Sequence, residues 1–161
     1  MSLNEKPSLY LDDIAVGMQF CSRSAVITEE RLKSFALEFD PQPFHLDEEA
    51  AQNSLFAGLA ASGWHTAAHS HRLFLESVPM ANGMVGAGVE LSWPTPTRAG
   101  DWLRVESRVK EIIPSRSKPD RAIVIMESQT LNQADAVVLK MLSRIVMFKR
   151  DSDSPAVADP V

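Results

Sequence analysis

The densest run of chemical groups in the chain is Phe39-Asp40-Pro41-Gln42-Pro43-Phe44-His45-Leu46-Asp47. An acid and an imidazole stand five residues apart, with two prolines between them. Pro41 and Pro43 fix two φ angles and remove two N–H donors, so the turn is stiff. A stiff turn can hold two side chains toward one space. A carboxylate and an imidazole sharing that space can hold one water and move protons in both directions. Burial by Phe39, Phe44 and Leu46 would disfavour charge and raise the Asp40 pKa. Spacing alone leaves a second reading open, in which Asp40 caps a turn and His45 is a satisfied structural histidine.

The elements around this run can be read from period and caps. The stretch from Val16 to Ile27 suggests a short strand. Thr28 is a helix N-cap, with Glu29 and Glu30 in the first turn where the dipole favours acids. Leu32, Phe35, Ala36 and Phe39 recur at helical spacing. That helix stops near Asp40, because the residue before a proline avoids the α region. Asp47 to Ala51 reads as a second short helix, and Ser54 to Ala61 as an apolar loop.

Ser62 is a plausible N-cap for the longest helix, which opens at Gly63 and runs to about Ser77. Trp64, Ala67, Ala68, His71 and Leu75 lie along one side of it, and Trp64 is expected to pack. His65 and His69 share a helix face, and His71 follows. The string has no third ligand at a known spacing and no His-Glu-x-x-His glutamate, so it reads as packing or pocket lining and no metal site is expected.

The second half changes period. Leu103, Val105, Val109 and Ile113 alternate with Arg104, Glu106, Arg108 and Lys110, a half-buried strand. Residues 121–131 and 136–148 are two more, the last apolar enough to be central in its sheet. Residues 83–93 make a fourth. A helix-rich half followed by antiparallel strands is the α+β pattern. The simplest packing curls the strands around the long helix. Residues 1–11 read as a lead-in, 12–149 as one domain, and 150–161 as a polar, disordered tail.

Composition narrows the function. The chain has 161 residues, enough for one domain with its own core. Net charge is −5 with no Lys/Arg cluster, which disfavours nucleic acid as the main partner. No apolar run is long enough to span a bilayer, and no secretory signal is read at the N-terminus. Cys21 is the single cysteine, which fits a reducing cytoplasm.

Three segments, in order, carry a family resemblance. Phe35 to Ala51, centred on Asp40-Pro41-Gln42-Pro43-Phe44-His45, resembles the signature of MaoC-like dehydratases and (R)-specific enoyl-CoA hydratases. Ala61-Ser62-Gly63-Trp64-His65-Thr66 resembles that family's Gly-bearing entry to a central helix. Trp93-Pro94-Thr95-Pro96-Thr97-Arg98-Ala99-Gly100-Asp101-Trp102-Leu103 resembles its Pro-x-x-x-Gly-Asp-x-Leu turn, and Asn132-Gln133 fits a late hairpin. Two positions depart from the pattern. Gln42 stands where the family has Asn, and Phe39 where Gly is frequent.

The resemblance implies a hot-dog fold, a long central helix wrapped by an antiparallel sheet. It implies a hydratase or dehydratase acting on an acyl-CoA-type thioester, with Asp40 and His45 as the catalytic pair. Which of them is acid and which is base is left open. The Gly63 N–H would bind the thioester carbonyl, as suits the positive end of a helix facing an enolate oxygen; otherwise Gly63 simply permits close packing. Ser62 would cap the helix or touch the ligand, and the Gln42 amide would order the site. No metal or redox cofactor is implied, the CoA thioester being substrate. The loop Ser115 to Arg121 reads as a solvated hairpin whose cations could meet CoA phosphates. The implied association is a homodimer or a dimer of dimers, with the ligand site at the interface. A hot-dog thioesterase and a non-catalytic acyl-binding protein are the alternatives, since one fold serves all three.

Overall fold

The computed structural model describes residues 8–150; most of the N-terminal lead-in and all but the first residue of the tail lie outside them. A 3-10 turn at Leu11–Asp13 leads into β1 (Gln19–Cys21) and β2 (Ala25–Val26). Three helices follow, α1 (Glu29–Phe39), α2 (Pro43–Leu46) and α3 (Glu48–Gln52), and then the long α4 (Gly63–Ser77). The chain ends in β3 (Val85–Ser92), β4 (Trp102–Pro114), β5 (Arg121–Leu131) and β6 (Val137–Phe148). All strand pairings are antiparallel, in the order β1-β4-β5-β6-β3, with β2 also on β4. This sheet wraps α4, which is the hot-dog arrangement.

The core lies between α4 and the sheet. Leu73, Phe74 and Val78 meet Val105, Val109, Val124, Met126, Val138, Met141 and Ile145. Several expectations shift in detail. The strand expected over 16–27 is broken into β1 and β2, and Ser22 spends its hydroxyl on the Arg23 carbonyl between them. Residues 43–46 form a helical turn instead of a bare proline turn, because Pro43 occupies its first position, where no N–H is needed. A β-bulge between Val109 and Glu111 flips the end of β4. Ile112, not Ile113, therefore packs against the core. β6 is flanked on both sides, but the middle strand is β5. The lead-in is docked at its described end, where Leu9 exchanges backbone hydrogen bonds with Pro79 and Ala81.

The largest correction concerns α4. Its buried residues are His65, Thr66, Ser70, Leu73 and Phe74. Trp64, Ala68, His71 and Leu75 face outward. Hydroxyls can line the buried face because they are satisfied locally: Ser70 Oγ donates to the Thr66 carbonyl, and Thr66 donates to Thr97 in the loop before β4. Thr130 on β5 donates to Ser70. Small polar residues thus bring helix and sheet close together.

Candidate active site

Asp40 and His45 meet because α1 ends and α2 begins between them. Thr28 caps α1 at one end, accepting from the Arg31 N–H, and the Asp40 N–H closes the other end on Ala36 O. The chain then turns through Pro41, and Gln42 caps the four-residue helix that carries His45. His45 is buried, with 4% of its surface exposed. Its Nε2 lies 3.3 Å from Asp40 Oδ2.

Each remaining atom of the pair has a defined partner. His45 Nδ1 is 2.7 Å from the Ala60 carbonyl. A carbonyl can only accept, so Nδ1 carries a proton and Nε2 is turned toward Asp40. Ser62 Oγ donates to Asp40 Oδ2 at 2.7 Å, and the Gln42 amide donates to Oδ1 at 2.6 Å. Ser62 also accepts from the Trp64 N–H, so it caps α4 and touches the carboxylate at once. The longer Gln42 side chain still reaches the acid.

The Asp40 pKa falls below the ordinary carboxylate value, against the expectation of a rise. Burial pushes it up and is the largest single influence, but the Ser62 hydroxyl, the Gln42 amide and the His45 ring together outweigh it. Phe39 does not contribute to the burial, being 63% exposed. The apolar cover comes from Phe44, edge-on to His45 at 4.6 Å, and from Phe56, at 6.1 Å.

The pair opens on a cleft of ≈ 440 Å³. Gly63 lines it, at the first position of α4, where the N–H has no intrahelical acceptor. The close-packing role of Gly63 is also real. A Cβ there would sit 2.9 Å from the Trp93 ring, and the Trp93 indole donates to the Gly63 carbonyl at 2.9 Å. Trp64, expected to pack, is 61% exposed and stands edge-on to Trp93 at the cleft wall. His65 and His69 are engaged elsewhere. His65 stacks on Phe35 at 4.6 Å, and His69 Nε2 is 3.3 Å from the Ala25 carbonyl. Among the described residues, no group of three or more His, Cys, Asp or Glu is placed to hold a metal.

This arrangement sits inside a recognised sequence family. Residues 14–130 match the family described as MaoC like domain. The chain belongs to that family. It is 56% identical to the MaoC-like dehydratase from Rhodospirillum rubrum, whose crystal structure superposes with a TM-score of 0.88 over 90% of this chain and 100% of that one. It is 32% identical to the uncharacterized protein YdeM of Bacillus subtilis over 133 residues, 81% of this chain and 92% of YdeM. It is 26% identical to the 3-hydroxybutyryl-CoA dehydratase of Methylorubrum extorquens over 153 residues, 95% of this chain and 93% of that protein.

Sequence reasoning missed several parts of this MaoC-like site. Phe56 was inside a stretch read only as loop. Trp93 ends a stretch read as a strand, and Thr97 lies in one read only as a strand turn. For Trp93 a signal existed, since a glycine at a helix entry asks what large group approaches it.

Proposed function

We propose that this chain hydrates or dehydrates an acyl-CoA-type thioester, interconverting an enoyl and a 3-hydroxyacyl group with Asp40 and His45. The observation that carries the reading is the 3.3 Å approach of His45 Nε2 to Asp40 Oδ2 in a cleft shared with the first residue of α4. A water in the cleft, held by both groups, gives up a proton to one of them as hydroxide adds to Cβ. That proton is passed on through the pair to Cα, so that one water is added across the double bond and the C–S bond is untouched. The lowered pKa keeps Asp40 ionised at rest, so its carboxylate is open to take a proton from the water. The Gly63 N–H, at the positive end of α4, steadies the negative charge that grows on the thioester oxygen. An acid–base pair and an oxyanion donor suffice, so the chemistry proposed requires no metal or redox cofactor. The likeness to a named 3-hydroxybutyryl-CoA dehydratase along nearly the whole chain supports this class of substrate.

The test follows loss of enoyl absorbance and release of thiol in one cuvette, across short, medium and branched enoyl-CoA esters. The expected result is absorbance loss with negligible thiol for at least one ester. Thiol release keeping pace with enoyl loss, and abolished by Asp40→Asn, would make the protein a thioesterase. Silence across the whole panel would count for a non-catalytic acyl-binding role.

A further inference from the structure

Arg98 lies just before β4, outside the cleft lining, yet its guanidinium is committed to a single loop. Nη2 donates to the Phe56 carbonyl at 2.6 Å, and Nη1 to the carbonyls of Gly58 at 2.8 Å and Leu59 at 3.1 Å. Among the described residues it makes no ion pair with a carboxylate. One fork of donors holds three carbonyls of a four-residue segment, a task suited to a planar guanidinium and not to an ammonium.

That loop is bent. Ala57 has φ of 47° and Gly58 of 145°, so its carbonyls cannot be paired by regular structure. The next carbonyl along, that of Ala60, is the one that receives the proton on His45 Nδ1. Phe56, whose carbonyl Arg98 also holds, places its ring beside the His45 ring. The far end of the loop is pinned by backbone bonds, Ala60 N to Phe44 O and Ala61 N to Thr97 O. Arg98 is itself held. Asp101 accepts from the Arg98 N–H at 2.8 Å through Oδ2 and from the Gln133 amide at 2.9 Å through Oδ1. A continuous chain of contacts therefore runs from the β5–β6 hairpin through Asp101 and Arg98 to the carbonyl that orients His45.

We propose that Arg98 is a positioning residue for His45: by clamping the carbonyls of residues 56–59 it fixes the Ala60 carbonyl that keeps the proton on Nδ1 and turns Nε2 toward Asp40. A histidine released from such a partner is free to take the other tautomer, and Nε2 would then carry a proton when neutral. The consequence for turnover rests on the hydratase reading. The effect on the ring does not.

The experiment uses full-length protein labelled with ¹⁵N-histidine. Two-bond ¹H–¹⁵N correlations at neutral pH report which ring nitrogen carries the proton, and the His45 signals are assigned by their loss in His45→Asn. Wild type is expected to show His45 as a single Nδ1–H tautomer. Arg98→Met, still folded by thermal unfolding, is expected to show a mixture of tautomers, with kcat lower by about 10²-fold and KM little changed. Arg98→Lys, which keeps the charge but cannot fork, is expected to fall between. If Arg98→Met does not fold, Arg98→Lys carries the test alone. A folded Arg98→Met, or failing that Arg98→Lys, whose His45 tautomer matches wild type would overturn the proposal. If wild type turns over no enoyl thioester while the tautomers change as described, the hydratase reading fails and the positioning role stands.

Discussion

Asp40 is a carboxylate with two donors on it, from Ser62 and Gln42, and the His45 ring beside it. Such a group stays ionised to lower pH than a free aspartate, and the site it serves should keep its base down through the ordinary carboxylate range. Asp40→Asn keeps the shape and removes the ionisable carboxyl; His45→Ala removes the ring. Each should lower turnover by about 10²–10⁴-fold, and the double variant should be little worse than either single one, because the two act on one water. In wild type, the acid limb of kcat/KM should fall below the pKa of free aspartate. Additive losses in the double variant, or near-normal hydration by Asp40→Asn, would remove Asp40 from the proton transfer. Asp40, Gln42 and His45 were legible in the sequence because each is a residue type with its own chemistry in a short, stiff segment, and Ser62 because it stands at a helix entry. Arg98 was in plain view but its role was not. Its targets are main-chain carbonyls forty residues earlier, and a carbonyl carries no residue identity to read.

α4 shows where pattern reading reaches its limit. Its bounds were legible from Ser62 and Gly63 at one end and Pro79 beyond the other, and the structure places it at Gly63–Ser77. Its buried side was misread, because the side chains that face the sheet are Thr66 and Ser70, whose hydroxyls are satisfied within the helix and across to Thr97 and Thr130. A hydrophobicity pattern cannot anticipate that bonding. His65 belongs to the same buried face. It is 9% exposed, stacked on Phe35 of α1, and its Nδ1 has no hydrogen-bond partner. Burial, with His69 and then Arg31 nearby, lowers its pKa from 6.5 to about 4. The unfolded chain therefore binds a proton that the folded chain refuses between those two values. Stability should be full above 6.5, decline as pH falls toward about 4, and level off below, a loss of roughly 3 kcal/mol. In His65→Phe this part of the decline should vanish, as read from urea midpoints across that pH range. An identical acid decline in wild type and His65→Phe would assign it to other groups.

At the scale of the whole molecule, the described residues leave one long sheet edge open. Among them β3 pairs only with β6, and its other side presents unpaired backbone groups over eight residues. Its sequence, Val85 to Ser92, has one charge, Glu90, and no proline. The opposite edge, β1, is three residues long and offers little to pair with. Val85 and Val89 are exposed on β3, as are Trp64 and Leu75 on the outward side of α4. A single protomer thus leaves a strand edge and an apolar helix face in water together. A second copy related by a two-fold axis would answer both, strand against strand, with the same surface on each side. We expect light scattering to give twice the 17.8 kDa of one chain, or four times if dimers pair. The substitution Val89→Lys, on an exposed position, should leave the protomer folded while driving it toward monomer, because a lysine on an edge opposes edge-to-edge pairing. Because Trp64 and Trp93 stand half open at the wall of the cleft, dissociation should also weaken turnover although Val89 does not line it. A wild-type protein that stays monomeric at high concentration would sink the association. A Val89→Lys monomer with undiminished turnover would show instead that each protomer completes its site alone.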